Sequence, residues 1–176
     1  MSNIALLVVD VQNAIVDEHP YNGKKVIENI ETLLSVARAN HKEVIYIQHE
    51  EAGCEFEHGC DGWQIYTQIS PVDSEKIIEK NYNSAFVKTE LKDYLSSKNI
   101  TTLVLVGMQT DYCIDATCKG AFEHGYQVII PEATNATFDN EYLTGEKLYE
   151  YYNHYMWDNR YAKLLSIKET IQLLEQ

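Results

Sequence analysis

A chain of 176 residues, 45% apolar and 23% charged, has the composition of a soluble globular protein and excludes a disordered or fibrous one. A formal charge of −13 leaves no basic footprint for a phosphate backbone, which argues against a nucleic-acid partner. No apolar run approaches the roughly 20 residues of a membrane helix, and four cysteines without a signal-peptide pattern point to a reducing cytoplasm rather than a disulfide scaffold.

In chain order, Ile4–Val9 is a continuous apolar run, as expected of a central parallel strand buried on both faces. Lys24 to Asn40 places Val26, Ile27, Ile30, Leu33, Leu34 and Ala37 at helical spacing. Glu43–Gln48 reads as a second strand, and His49 to Asp73 as an irregular segment with one helical turn around Trp63–Gln68. A third strand falls at Lys76–Glu79, a helix at Thr89–Lys98 and a strongly apolar strand at Thr102–Val106. After Gly107, Thr110 or Asp111 is positioned to cap a helix running to His124 and closed by Gly125. Tyr126–Ile130 is a fifth strand, Thr144–Asn153 a helix, Lys163–Ile167 a sixth strand, and a helix ends the chain. This alternation predicts one α/β domain over residues 1–176: a doubly wound parallel sheet of about six strands with helices on both faces.

Open parallel sheets gather functional groups just beyond the carboxyl ends of their strands, where the strand order reverses. The first strand ends at Asp10, the third at Lys80, and the fourth leads through Gly107 into Cys113. A thiol near a helix N-terminus and beside an ammonium is expected to have its thiolate favoured. A partly desolvated carboxylate suits removal of the thiol proton. Gly107 permits a sharp turn that points amide N–H groups at a developing oxyanion. Taken singly, Asp10 has a plainer reading as a loop cap or metal ligand, Lys80 as a solvated lysine, and a lone cysteine as core. The last is the preferred reading for Cys118. The three candidates persuade as a set, and the set fits nucleophilic acyl transfer.

The stretches Leu6–Asn13 (LLVVDVQN), Lys80–Phe86 (KNYNSAF) and Val106–Thr117 (VGMQTDYCIDAT), with Gly62–Ile65 and Gly125–Ala133, resemble the isochorismatase-like cysteine hydrolases, a family that includes nicotinamidases and carbamoyl-amide hydrolases. The resemblance spans almost the whole chain, in order. It implies Asp10 as general base, Lys80 as the residue that stabilises the thiolate and Cys113 as nucleophile. It also implies a cis peptide at Met108–Gln109, and it assigns the N–H groups of Gln109 and Cys113 to an oxyanion hole. Gln12, His49, Trp63 and Phe86 are the residues expected to bind substrate. The implied reaction cleaves an amide-type C–N bond of a small molecule through a thioester, with no cofactor and no metal, in a homo-oligomer. Nicotinamidases of the family carry an Asp-x-His pair after strand two, where this chain reads His49-Glu50-Glu51. A nicotinamidase with an altered or absent metal site is therefore one alternative, and a catalytically silent binding protein another.

Cys54, His58 and Cys60 in the irregular segment are a conceivable zinc set, but the spacing matches no standard finger, and a surface loop with free thiols is the preferred reading. Trp63 suits a pocket wall or a core anchor equally. The late aromatic run from Tyr149 to Tyr161 suits a pocket rim, an interface or the core.

Overall fold

The computed structural model describes residues 3–176. Met1 and Ser2, the start of the span read as one domain, lie outside the described residues. The strands are β1 (Ile4–Val9), β2 (Glu43–His49), β3 (Lys76–Lys80), β4 (Thr102–Met108), β5 (Gln127–Pro131), β6 (Asn135–Ala136) and β7 (Lys163–Leu165). Their order across the sheet is β3-β2-β1-β4-β5-β7, with β6 paired on the end of β4, and every pairing is parallel. The chain winds outward from β1 to β3, then crosses back to β4 and builds the other half. The reversal lies between β1 and β4, where Val9 is in register with Gly107.

The all-apolar strands β1 and β4 are central because they have layers to bury against on both sides. All six residues of β1 and all seven of β4 are buried. Ile4, Leu6 and Val8 pack with the apolar stripe of α2 (Gly23–Ala39) and with α6 (Ile167–Leu174). Ala5, Leu7 and Val9 face the opposite way, onto Leu91 and Leu95 of α3 (Leu91–Ser97) and onto Cys118 and Ala121 of α4 (Asp115–Glu123). Each fully buried Leu, Ile or Val contributes roughly 1.5–3 kcal/mol, so two such layers fasten the sheet from both faces. Cys118 belongs to this core, as its apolar surroundings suggested.

Three local differences from the sequence expectations have physical causes. A short helix α1 (Asn13–Val16) follows β1, too brief to show periodicity. The segment after β4 is not capped by Thr110 or Asp111: it opens as a π-helical turn, Thr110–Ile114, before α4, and no side chain caps it. Thr110 instead donates to Asn135 Oδ1 at 2.8 Å, and Asp111 accepts from Thr137, so both side chains tie the turn to β6 and its flank. The helix α5 (Gly145–Glu150) likewise continues as a π-helical segment, Tyr151–Trp157, which turns the fully buried Trp157 ring into the core. Its indole N–H donates to Asp115 at 2.9 Å.

Candidate active site

The ends of β1, β2, β3 and β4 meet at one edge of the sheet. Asp10 leaves β1 with a left-handed φ of 50°, and its N–H donates to the Ile47 carbonyl at 3.0 Å. Lys80 closes β3, in register with His49 at the end of β2. Both charged side chains are out of solvent, at 1% exposure for Asp10 and 0% for Lys80. The Lys80 ammonium donates to Asp10 Oδ2 at 2.6 Å and to Cys113 Sγ at 3.4 Å, and its third neighbour is His49 Nδ1 at 3.3 Å. An ammonium only donates, so a hydrogen bond at this contact needs Nδ1 of His49 as its acceptor. Among the described residues, Asp10 Oδ1 is buried without a hydrogen-bond partner. The Met108–Gln109 peptide is cis.

The thiol itself corrects one expectation. Burial first, and then the Asp10 carboxylate, push Cys113 up to about 12, and Lys80 offsets this only in part. Desolvation and a like charge outweigh the single ammonium because that ammonium is already paired with Asp10. The resting site is therefore a neutral thiol beside an ion pair, and formation of the nucleophile requires a base within reach.

Asp10, His49, Gln109 and Cys113 line a pocket of about 210 Å³. The remaining walls are Ile15, Phe56, Asn83 and Tyr112, none of which the sequence singled out. Asn83 lies inside the Lys80–Phe86 motif, a signal that was present; Phe56 belongs to an irregular loop with no readable pattern. Its ring stands edge-on to His49 with centroids 5.4 Å apart.

The other expected substrate contacts lie elsewhere. Gln12 is fully buried. Its side-chain amide donates to the carbonyls of His49 and Trp63 at 3.0 and 2.8 Å and accepts from the His49 N–H at 2.8 Å, so it ties β2 and the loop to β1. Trp63 acts as an anchor outside this pocket: its carbonyl also accepts from Gln48, and its ring lies 4.3 Å from that of His58. Phe86 packs against His124 and Tyr126 behind the site. All four cysteines are free thiols. Among the described residues, the grouping near enough to share a cation is Glu50, His58 and Glu79, with ligand atoms within 4.8 Å of one another. None of the three lines the pocket, and Cys54 and Cys60 are not part of it.

An open, doubly wound sheet that gathers an acid, a lysine and a thiol at its switch point has the groups that nucleophilic hydrolysis would need. Residues 4–151 match the family model of the isochorismatase domain, and the chain belongs to that family of hydrolases. It is 33% identical over 138 residues to a streptothricin hydrolase of Streptomyces noursei, a match that covers 77% of this chain but only 55% of that protein. An N-carbamoylsarcosine amidase from an Arthrobacter species is 26% identical over 196 residues, covering 97% of this chain and 71% of the relative. The crystal structure of a putative isochorismatase hydrolase from Oleispira antarctica superposes with a TM-score of 0.91 at 26% identity and covers 97% of each chain. No helix is long and apolar enough to cross a membrane among the described residues.

Proposed function

We propose that residues 1–176 act as one cysteine amidohydrolase domain that cleaves a C–N bond of a small amide through a thioester on Cys113. The observation that carries this reading is the Lys80 ammonium placed between Asp10 and Cys113 at the floor of the pocket. An amide-hydrolysing relative that spans nearly the whole chain is consistent with it. In the first step the Cys113 proton passes to Asp10 as Sγ attacks the carbonyl carbon, and the N–H groups of Gln109 and Cys113 receive the developing oxyanion. The C–N bond then breaks, the leaving amine takes the proton back, and Cys113 holds the acyl group. Water, deprotonated by Asp10, attacks the thioester; the C–S bond breaks, the proton on Asp10 passes to the departing thiolate to restore the thiol, and the carboxylic acid released gives its proton to solvent. Lys80 pairs with the Asp10 carboxylate and partly neutralises the thiolate as it forms. The proposal extends to a cytoplasmic homo-oligomer that requires no cofactor.

The test is amine or ammonia release from a panel of small primary amides and carbamoyl compounds, with intact-mass trapping of the enzyme. Turnover lost in Cys113→Ala, with an acyl adduct mapped to Cys113 in the parent, is the expected result. Turnover that survives Cys113→Ala would sink the nucleophile assignment, and a folded parent that neither turns over nor acylates would favour the silent binding protein.

A further inference from the structure

The charge and size of the pocket narrow the substrate class, on the reading of the pocket as an amide-hydrolase site. No Arg or Lys is among the residues that line it. The one ammonium beneath it has no exposed surface and is engaged by Asp10, Cys113 and His49. The loop that supplies Phe56 is acidic throughout: residues 50–64 contain Glu50, Glu51, Glu55, Glu57 and Asp61, and neither Lys nor Arg. Glu51, 67% exposed, brings a carboxylate to 3.6 Å from Nε2 of His49, a residue that lines the pocket. That loop is not free to swing away, because its far end is fastened to the start of α1: the Ala14 N–H donates to the Gly62 carbonyl and the Asn13 N–H to the Gln64 carbonyl, both at 3.0 Å.

A carboxylate brought into this space would lose its water, find no counter-ion and meet the field of the loop. An apolar or aromatic group would meet Ile15, Phe56 and Tyr112 instead. The volume of about 210 Å³ lies below the roughly 300–1,000 Å³ of pockets that take drug-sized ligands. We propose that the site selects small amides that bear no carboxylate, with Phe56 and the acidic loop as the elements that exclude anions. Asn83, the uncharged polar side chain beside Cys113 (Oδ1 3.9 Å from Sγ), is the group that orients the amide.

Two alkylating agents of nearly equal size test the charge rule without any knowledge of the substrate. Iodoacetamide is a neutral amide and iodoacetate an anion; in both reactions the thiolate forms an S–C bond as the C–I bond breaks and iodide leaves. The ratio of their rates at Cys113, mapped by mass spectrometry and divided by the same ratio in the urea-unfolded chain, cancels the thiol's own basicity. The expected ratio favours iodoacetamide by about tenfold or more at low salt, and Phe56→Arg collapses it while Phe56→Leu keeps it. A normalised ratio near one, or one that favours iodoacetate, overturns the proposal. Turnover is read separately on matched amides with and without a carboxylate. Preference for the carboxylate-bearing member also overturns the charge rule and leaves the hydrolase reading standing. Absence of turnover beside a high alkylation ratio sinks the hydrolase reading and leaves the charge rule standing.

Discussion

At the floor of the pocket a single ammonium serves two acidic groups, at 2.6 Å from the Asp10 carboxylate and 3.4 Å from the Cys113 thiol. Burial first, and then the Asp10 carboxylate that holds this ammonium, keep the thiol protonated, so Asp10 both helps to raise Cys113 and is the base proposed to deprotonate it. These two roles separate in one variant. Removal of the carboxylate charge in Asp10→Asn takes away the largest electrostatic contribution that raises the thiol, so the midpoint of Cys113 alkylation against pH moves down from about 12. Turnover moves the other way and falls by about 10²–10⁴, the usual contribution of a positioned general base. The check is pH-dependent iodoacetamide labelling beside amide hydrolysis, with Cys118, at 0% exposure, as the internal control for folding. Labelling of Cys118 would mean the variant has opened; unchanged Cys113 labelling with unchanged turnover would remove Asp10 from the mechanism. That Asp10, Lys80 and Cys113 come together was legible in the sequence because the first two fall at strand ends and the third in the turn after the fourth strand. The direction of the thiol's shift was not, since it depends on how deeply Sγ is buried and on which acid the ammonium prefers, and neither quantity is encoded in residue spacing.

The element that delivers Cys113 depends on how closely β4 approaches β1 at the switch point. Gly107 has φ 130°, and a Cβ placed there would lie 2.0 Å from the Val9 carbonyl oxygen and 2.8 Å from the Val9 nitrogen. All of these are main-chain atoms in the middle of the sheet, so no side chain can yield. Gly107→Ala must separate two buried strands or force a change of φ, and is expected to destabilise the fold by more than the roughly 1 kcal/mol of an ordinary substitution, into the 3 kcal/mol range or beyond. Urea unfolding measures this, and a loss under 1 kcal/mol would show that the strands relax apart at little cost. At this scale the sequence was most informative where the pattern was long. The apolar runs of β1 and β4 and the stripe of α2 stand within a residue or two of their expected bounds. It was silent about β6, two residues long, and about the π-helical turns, which arise from tertiary ties such as Thr110 to Asn135 rather than from local propensity. The loop that bears Phe56 was visible only as irregularity; its contact with His49 is a property of the folded chain.

Across the whole molecule, the two packed faces of the sheet shelter ionisable groups whose protons the fold retains. Burial, with a smaller contribution from Asp115, pushes Cys118 up to about 12, and Cys113 reaches about the same value. Burial also raises the Tyr46 phenol, whose hydroxyl donates to the Ile69 carbonyl at 2.7 Å. A group whose pKa is higher in the folded chain than in the unfolded one leaves stability intact below the unfolded value and removes it as pH rises toward the folded value. An unfolded cysteine titrates near 8.5, so stability is level through neutral pH and falls from about pH 9 toward 12, with each such thiol contributing about 1.4 kcal/mol per pH unit inside that window. Cys118→Ala removes one group from the sum. Its absolute stability at neutral pH reflects the small cavity it leaves, but its alkaline slope should be shallower than the parent's by about one proton's worth. General repulsion from the formal charge of −13 acts on both proteins alike and drops out of the difference. Chemical unfolding of both proteins at a series of pH values between about 8 and 11 reads the two slopes directly. Parallel curves would mean that the Cys118 thiolate is accommodated in the folded core, against the desolvation that the packing of α4 on the sheet imposes.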